Sequence, residues 1–236
     1  MSRSSVEGLR DSLSDQGYAL VEHVGGQRQA VELLQDLGRF VPQYGGTVEH
    51  EVVYRPGNDG RAYSQSRNAI RPHTEAPGRH PSPRHLALYC HRQARCGGGH
   101  TDLLDWKLLE KLLGPDDLAL VTGPRVRFPG PVGGEGVVAT MVEEDGDRAV
   151  LRFSHNLLTA ADYDPALDAA TPAEELPLGR AGAELALRVA ELFVHYRTQV
   201  LIPDDALLVW DNQRMMHARS QYEDTGRHLT RYWVAV

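Results

Sequence analysis

Apolar residues at Val6, Leu9 and Leu13, closed by Gly17, predict a short amphipathic helix, and Val31, Leu33, Leu34 and Leu37, closed by Gly38, predict another. Tyr18 to Val24 between them has strand character. After residue 50 the chain becomes a series of short strand-like runs separated by Gly, Pro, Asn and Asp. The expected strands are Glu51 to Tyr54, Ala62 to Ser66, His85 to His91, Thr101 to Leu104, Arg125 to Phe128, Val137 to Glu143 and Ala149 to Ser154, with a hairpin at Glu144-Asp145-Gly146-Asp147.

A helix is expected over Trp106 to Leu113, ending at Gly114-Pro115. A longer one is expected from about Ala181 to Arg197, with Leu185, Val189, Leu192, Phe193 and Tyr196 on one face. Residues 157–180 are rich in Ala, Asp and Pro and lack periodicity, so they read as a lid or binding loop. Strands Ala206 to Trp210 and His228 to Val236 follow. With no repeat, low-complexity tract or linker, residues 1–236 read as one domain whose first 45 or so residues are helical support. Two helices leading into many short strands suit a mainly β sandwich or barrel with flanking helices.

Composition narrows the partners. Among 236 residues, 41% are apolar and 24% charged, which excludes disorder, and a net charge of −7 offers no footprint for nucleic acid or an anionic membrane surface. No apolar run approaches the roughly 18–20 residues that span a bilayer. The first residues lack a signal-peptide pattern, so a cytoplasmic protein acting on a small molecule is expected. Cys90 and Cys96, without a second pair, read as two reduced, buried thiols.

Candidate chemistry starts at His73-Thr74-Glu75. On a strand, residues i and i+2 share a face, close enough to hold one ion. A second histidine would complete a facial triad, which suits non-haem Fe(II) because three positions remain open. His217, 144 residues further on, follows a strand that ends in the polar turn Trp210-Asp211-Asn212. His100-Thr101-Asp102 is a rival pair, but three glycines before it make a poor platform for a metal ligand.

His73-Thr74-Glu75, Pro83 to Cys90, Gly97 to Thr101, Trp210-Asp211-Asn212 with His217, and Arg227 to Arg231 with Tyr232-Trp233 occur in the order seen in the Fe(II)/2-oxoglutarate oxygenases. Together they resemble the taurine dioxygenase and clavaminate synthase group. The resemblance is closest over residues 64–106 and 206–236. It implies a double-stranded β-helix, the cupin-like jelly roll, with His73, Glu75 and His217 as iron ligands. It also implies that Thr101 and Arg227 bind 2-oxoglutarate; a guanidinium stays charged and presents paired donors to a carboxylate.

Arg231 resembles the arginine that grips an anionic group of the substrate, the alternative being an ion pair with one of the acids. Asn68 and His155 are further substrate-binding candidates. The implied reaction is hydroxylation of an unactivated C–H bond in a small carboxylate-bearing molecule, such as an amino acid derivative, using O2 and releasing succinate and CO2. Desaturation and cyclisation share these ligands. Halogenating relatives replace the acid with a small residue, so Glu75 argues against halogenation. Two other classes compete: a non-catalytic metal-binding jelly roll, disfavoured by Arg227 and Thr101, and a zinc hydrolase, disfavoured by the lack of a helical HExxH motif.

Overall fold

The computed structural model describes residues 3–61, 64–130, 134–146 and 148–236, with side chains from Val6 onward. In chain order its elements are α1 (Arg3–Gln16), β1 (Tyr18–Val21), α2 (Gln27–Leu37), β2 (Arg39–Phe40), β3 (His50–Val53), β4 (Ile70–His73), β5 (His85–Arg92) and β6 (Thr101–Asp105). Next come α3 (Trp106–Leu112), α4 (Pro115–Thr122), β7 (Val126–Phe128), β8 (Val137–Ala139), β9 (Val142–Asp145), β10 (Arg148–Leu151), α5 (His155–Ala160) and α6 (Gly179–Tyr196). The strands β11 (Thr198–Val200), β12 (Ala206–Asp211), β13 (Met215–Arg219) and β14 (His228–Ala235) complete the described α-helices and strands, and short 3-10 turns lie at Tyr44–Gly46 and Ala173–Glu175.

Two antiparallel sheets face one another. The larger runs β1-β12-β5-β14-β2, with β3 also on β14, and the smaller runs β11-β6-β13-β4. Side-chain alternation explains the layers. In β12, Leu207 and Val209 point toward α1 and α2, where they join Leu9, Leu33 and Leu34. Leu208 and Trp210 point the other way and pack with Leu103 and Met215 of the smaller sheet. The smaller sheet turns Leu104 and Met216 toward Leu109 of α3, Leu157 of α5 and Leu185, Val189 and Phe193 of α6. Both sheets are therefore covered on both faces, and each fully buried leucine contributes about 1.5–3 kcal/mol through burial. A one-residue slip of β12 would exchange its two faces, so its pairing of Leu208 with Leu88 is strongly specified. This arrangement is the mainly β jelly roll with flanking helices.

The differences from the expected elements have local causes. Gly114-Pro115 ends α3 but also opens α4, because proline at the first turn needs no N–H partner. Ser64–Ser66 form turns, not a strand; the carbonyls of Ser64 and Ser66 accept from the Arg219 guanidinium. Ala62 and Tyr63, the start of that expected strand, lie outside the described residues, as does Asp147 of the expected hairpin. The Val137 to Glu143 run breaks between β8 and β9, where Thr140 Oγ1 donates to the Val142 carbonyl at 2.7 Å. Ser154 caps α5 by accepting from Leu157 N–H at 3.2 Å, so the expected Ala149 to Ser154 strand stops at Leu151.

Residues 157–180 are less irregular than expected: they hold the end of α5, a short 3-10 turn at Ala173–Glu175 and the start of α6. Between these, Ala166 forms a β-bridge with Arg61. Leu167 N–H donates to the Gly60 carbonyl at 3.0 Å, which fastens the segment to the loop after β3. Cys90 is buried as expected, whereas Cys96 is exposed, in the glycine turn before β6.

Candidate active site

Strand pairing brings the two distant histidines together. His217 of β13 is the direct Cα partner of His73, the last residue of β4, and their ring centroids are 4.0 Å apart. Glu75 lies just beyond the strand, but side chains replace the missing ladder. Its N–H donates to Asn212 Oδ1 at 2.7 Å, and Asn212 Nδ2 donates to the carbonyls of Glu75 at 3.0 Å and Pro83 at 3.1 Å. Thr74 N–H donates to the Phe153 carbonyl at 2.8 Å, while Phe153 N–H donates to Thr74 Oγ1 at 3.0 Å. Held on both sides, Glu75 keeps the face of His73 although the regular strand has ended.

Loss of the Asn212 amide in Asn212→Leu would leave one buried donor and two carbonyls without it. We expect a loss of about 2–4 kcal/mol, read as a lowered urea midpoint at unchanged slope.

One ligand atom from each of His73, Glu75 and His217 falls within a common 4.8 Å span. Glu75 Oε2 is 3.9 Å from His73 Nε2 and 3.8 Å from His217 Nε2. The donor chemistry fits a divalent transition ion. Burial holds the imidazoles of both histidines below their ordinary pKa, most strongly at His217, which keeps them neutral and able to donate lone pairs. His73 Nδ1 lies 2.9 Å from the Arg71 carbonyl, which orients the ring and leaves Nε2 for a metal. His217 Nδ1 is buried with no hydrogen-bond partner among the described residues.

These three residues line a cavity of about 510 Å³ between the sheets, together with Thr101, Arg227 and Arg231. Arg227 is 1% exposed, yet it makes no ion pair among the described residues. Its Nε donates to Gln93 Oε1 and its Nη2 to the Gly99 carbonyl, both at 3.2 Å, while Nη1 is buried without a partner. Burial pushes its pKa down, so an incoming carboxylate would relieve the desolvated cation. Gly99 permits this approach: a Cβ there would lie 2.9 Å from Arg227 Nε, on a backbone with φ of +78°. Thr101, at the start of β6, is 3% exposed and opens into the same cavity.

Arg231 makes the ion pair weighed as an alternative to substrate binding, and its partner is Glu75. Nη1 is 3.0 Å from Glu75 Oε1, Nε donates to Gln43 Oε1 at 2.9 Å, and Nη2 is buried with no partner among the described residues. Arg227, just before β14, and Arg231, within it, both reach the cavity. His228 stacks on His91 at 4.2 Å and Tyr232 packs under α2, both away from it.

Asn68 and His155 take other positions. Asn68 Nδ2 donates to the Asp59 carbonyl at 2.7 Å and the Arg61 carbonyl at 2.8 Å, bracing a loop. His155 is the first residue of α5, its ring 3.4 Å from Thr159 Oγ1. Neither is among the described residues lining the cavity. The rival pair at residues 100 and 102 is dispersed: Asp102 Oδ2 pairs with Arg197 Nε at 3.1 Å, and His100 Nδ1 faces Ser220 Oγ at 3.3 Å.

Several cavity residues were not foreseen. Asn156, Tyr163 and Asp164 come from α5 and the segment after it, and Gln43 comes from the loop after β2. Burial, reinforced by the nearby charges of Glu75 and Asp162, raises the Asp164 carboxyl to about 6. Arg219 donates to the carbonyls of Ser64, Ser66 and Asn68, and burial beside Arg227 lowers it to about 9. Its place two residues after His217 was the available signal.

No described helix is long and apolar enough to cross a membrane. Comparison with curated proteins finds no match. Among solved structures, an asparagine oxygenase in complex with Fe(II), 2S,3S-3-hydroxyasparagine and succinate is similar at a TM-score of 0.77 and 17% identity, over 99% of this chain and 79% of that one. The non-heme iron oxygenase OrfP in complex with Fe and alpha-ketoglutaric acid is similar at 0.69 and 16%, over 100% and 81%. The PvcB protein from Pseudomonas aeruginosa is similar at 0.66 and 16%, over 98% and 80%. At such identities these structures speak for the fold. Residues 1–233 match the family described as "Taurine catabolism dioxygenase TauD, TfdA family", and the chain belongs to that family.

Proposed function

We propose that this member of the dioxygenase family uses His73, Glu75 and His217 to hold Fe(II), and that it hydroxylates a C–H bond of a small amino acid or amino acid derivative. The observation that carries this reading is one cavity holding two neutral imidazoles, one carboxylate and the buried, acid-free guanidinium of Arg227. Fe(II) with 2-oxoglutarate supplies the chemistry: O2 is reduced as the keto acid is decarboxylated to succinate and CO2, and the substrate is oxidised.

The protein's contribution is position. His73, Glu75 and His217 would hold the ion from one side and leave the rest of the cavity for the co-substrate and substrate. Arg227, through Nη1, and Thr101, through its hydroxyl, would grip the distal carboxylate of 2-oxoglutarate. The similar structures support an amino acid substrate, their bound molecules being a hydroxyasparagine in one and hydroxyarginines in others. Here an α-carboxylate would meet Arg231 Nη2, and an amino group would meet Asp164. The buried guanidinium of Arg231 and the half-buried carboxylate of Asp164 each make an opposite charge welcome.

The test is an anaerobic titration. A visible charge-transfer band should develop only when Fe(II) and 2-oxoglutarate are both present, and aerobic succinate release should then identify the amino acid. Turnover supported by zinc alone, or a band that never forms, would reject the oxygenase in favour of a hydrolase or a binding module.

Asp164 gives a separate prediction. Its folded-state pKa of about 6 lies above its ordinary value of 3.8, so its charge is lost as pH falls through 6. Substrate KM should therefore rise below pH 6 with little change above it. Asp164→Asn should flatten that profile and lower kcat/KM about tenfold or more, since a hydrogen bond to a charged group contributes about 1.5–3 kcal/mol. An unchanged profile in the variant would remove Asp164 from substrate binding.

A further inference from the structure

Building on the assignment of His73, Glu75 and His217 as metal ligands, we propose that Gln43 and Arg231 form a positioning relay that keeps Glu75 a one-oxygen ligand. The two oxygens of Glu75 have different surroundings. Oε2 faces both histidine Nε2 atoms at 3.8–3.9 Å, and Oε1 is 3.0 Å from Arg231 Nη1. A glutamate carries one more rotatable bond than an aspartate and can swing to chelate through both oxygens. Doing so would fill a position that co-substrate, substrate or O2 requires. Engaging Oε1 from the far side blocks that swing.

The guanidinium is itself fixed. Its Nε donates to Gln43 Oε1 at 2.9 Å, and Gln43 Nε2 donates back to the Arg231 carbonyl at 2.8 Å and to the Val48 carbonyl at 2.7 Å. Its face lies 5.7 Å from the Tyr44 ring centroid and 5.6 Å from that of Trp233. Gln43 is 4% exposed and Arg231 8%, so neither can relax into solvent. Arg231 belongs to the larger sheet while His217 belongs to the smaller, so the relay sets the acid against the imidazoles from across the cavity. The planar fork matters: Nε and Nη1 serve two partners in fixed directions, which an ammonium cannot reproduce.

Co(II) titration of the metal-free protein, without 2-oxoglutarate or substrate, tests the relay. Arg231→Lys keeps the charge but loses the fork. It should change the Co(II) affinity about tenfold, the scale on which outer partners of metal ligands act, and should alter the visible d–d spectrum as Glu75 gains its second oxygen contact. Gln43→Met should shift both in the same direction by less, and it serves if Arg231→Lys fails to fold by its urea midpoint. Wild-type affinity and spectrum in the folded variants would overturn the relay alone, leaving Arg231 a receptor for substrate. Equal Co(II) binding by wild type and His217→Ala would remove the triad, and the relay with it.

Discussion

Replacing His217 with alanine is expected to abolish Fe(II) binding and turnover while the fold remains. In the proposed triad the imidazole is one of three protein ligands, so its loss should exceed the roughly 10–100-fold that removing an outer partner costs. The jelly roll does not depend on it, because the layers around β13 are held by Met215 and Met216, which pack to opposite sides. A distinctive acid response should accompany this. Burial lowers the folded-state pKa of His217 well below its ordinary 6.5, so the unfolded chain binds the proton first as pH falls. Metal-free wild type should lose stability as pH drops below that value, and His217→Ala should lose less of it. Urea midpoints between neutral and acid pH, with and without chelator, check both parts; tight Fe(II) binding by the variant would exclude His217 as a ligand.

Arg227→Ala should raise the half-saturating 2-oxoglutarate concentration about 100-fold or more, on the basis of two charge-assisted hydrogen bonds at about 1.5–3 kcal/mol each. The primary substrate's KM should change little at saturating co-substrate. Arg227→Lys should recover only part of the loss, since a single ammonium cannot present parallel donors. Thr101→Val, which removes one neutral donor, should cost about fivefold, close to 1 kcal/mol. Succinate release measured against 2-oxoglutarate concentration reads all three, and an unchanged requirement in Arg227→Ala would withdraw its assignment. Because the cation makes no ion pair among the described residues, the alanine variant should lose stability against metal-free wild type only through its hydrogen bonds to Gln93 and Gly99 and its packing over Tyr222.

The difference between what could be read along the chain and what could not follows from locality. Helices α1, α2 and α6 and strands β5, β12 and β14 carry their own apolar periodicity, so their places were legible. The HxE pair was legible because i and i+2 share a face, and Arg227 and Arg231 because i and i+4 do. The meeting of His73 with His217 was supported by motif order alone; its cause is the β4–β13 register, which no local pattern encodes. Glu75 as the partner of Arg231 was hidden for the same reason, since the two come from different layers. Asn68 and His155 stood near the right strands, but their hydrogen bonds are spent on a loop and a helix start. Asp164 sits in a stretch without periodicity, where sequence predicts a loop but not which side chain turns inward.

The central placement of β14 has a consequence for biosynthesis. It lies between β5 and the β2 and β3 strands, and it carries Arg231 and follows Arg227, while β4 and β13 bring together histidines 144 residues apart. Contacts of such high sequence separation close late. During synthesis, a chain from which β14 has not yet emerged therefore lacks Arg227 and Arg231 at the cavity, and the proposed site stays incomplete until the larger sheet has received that strand.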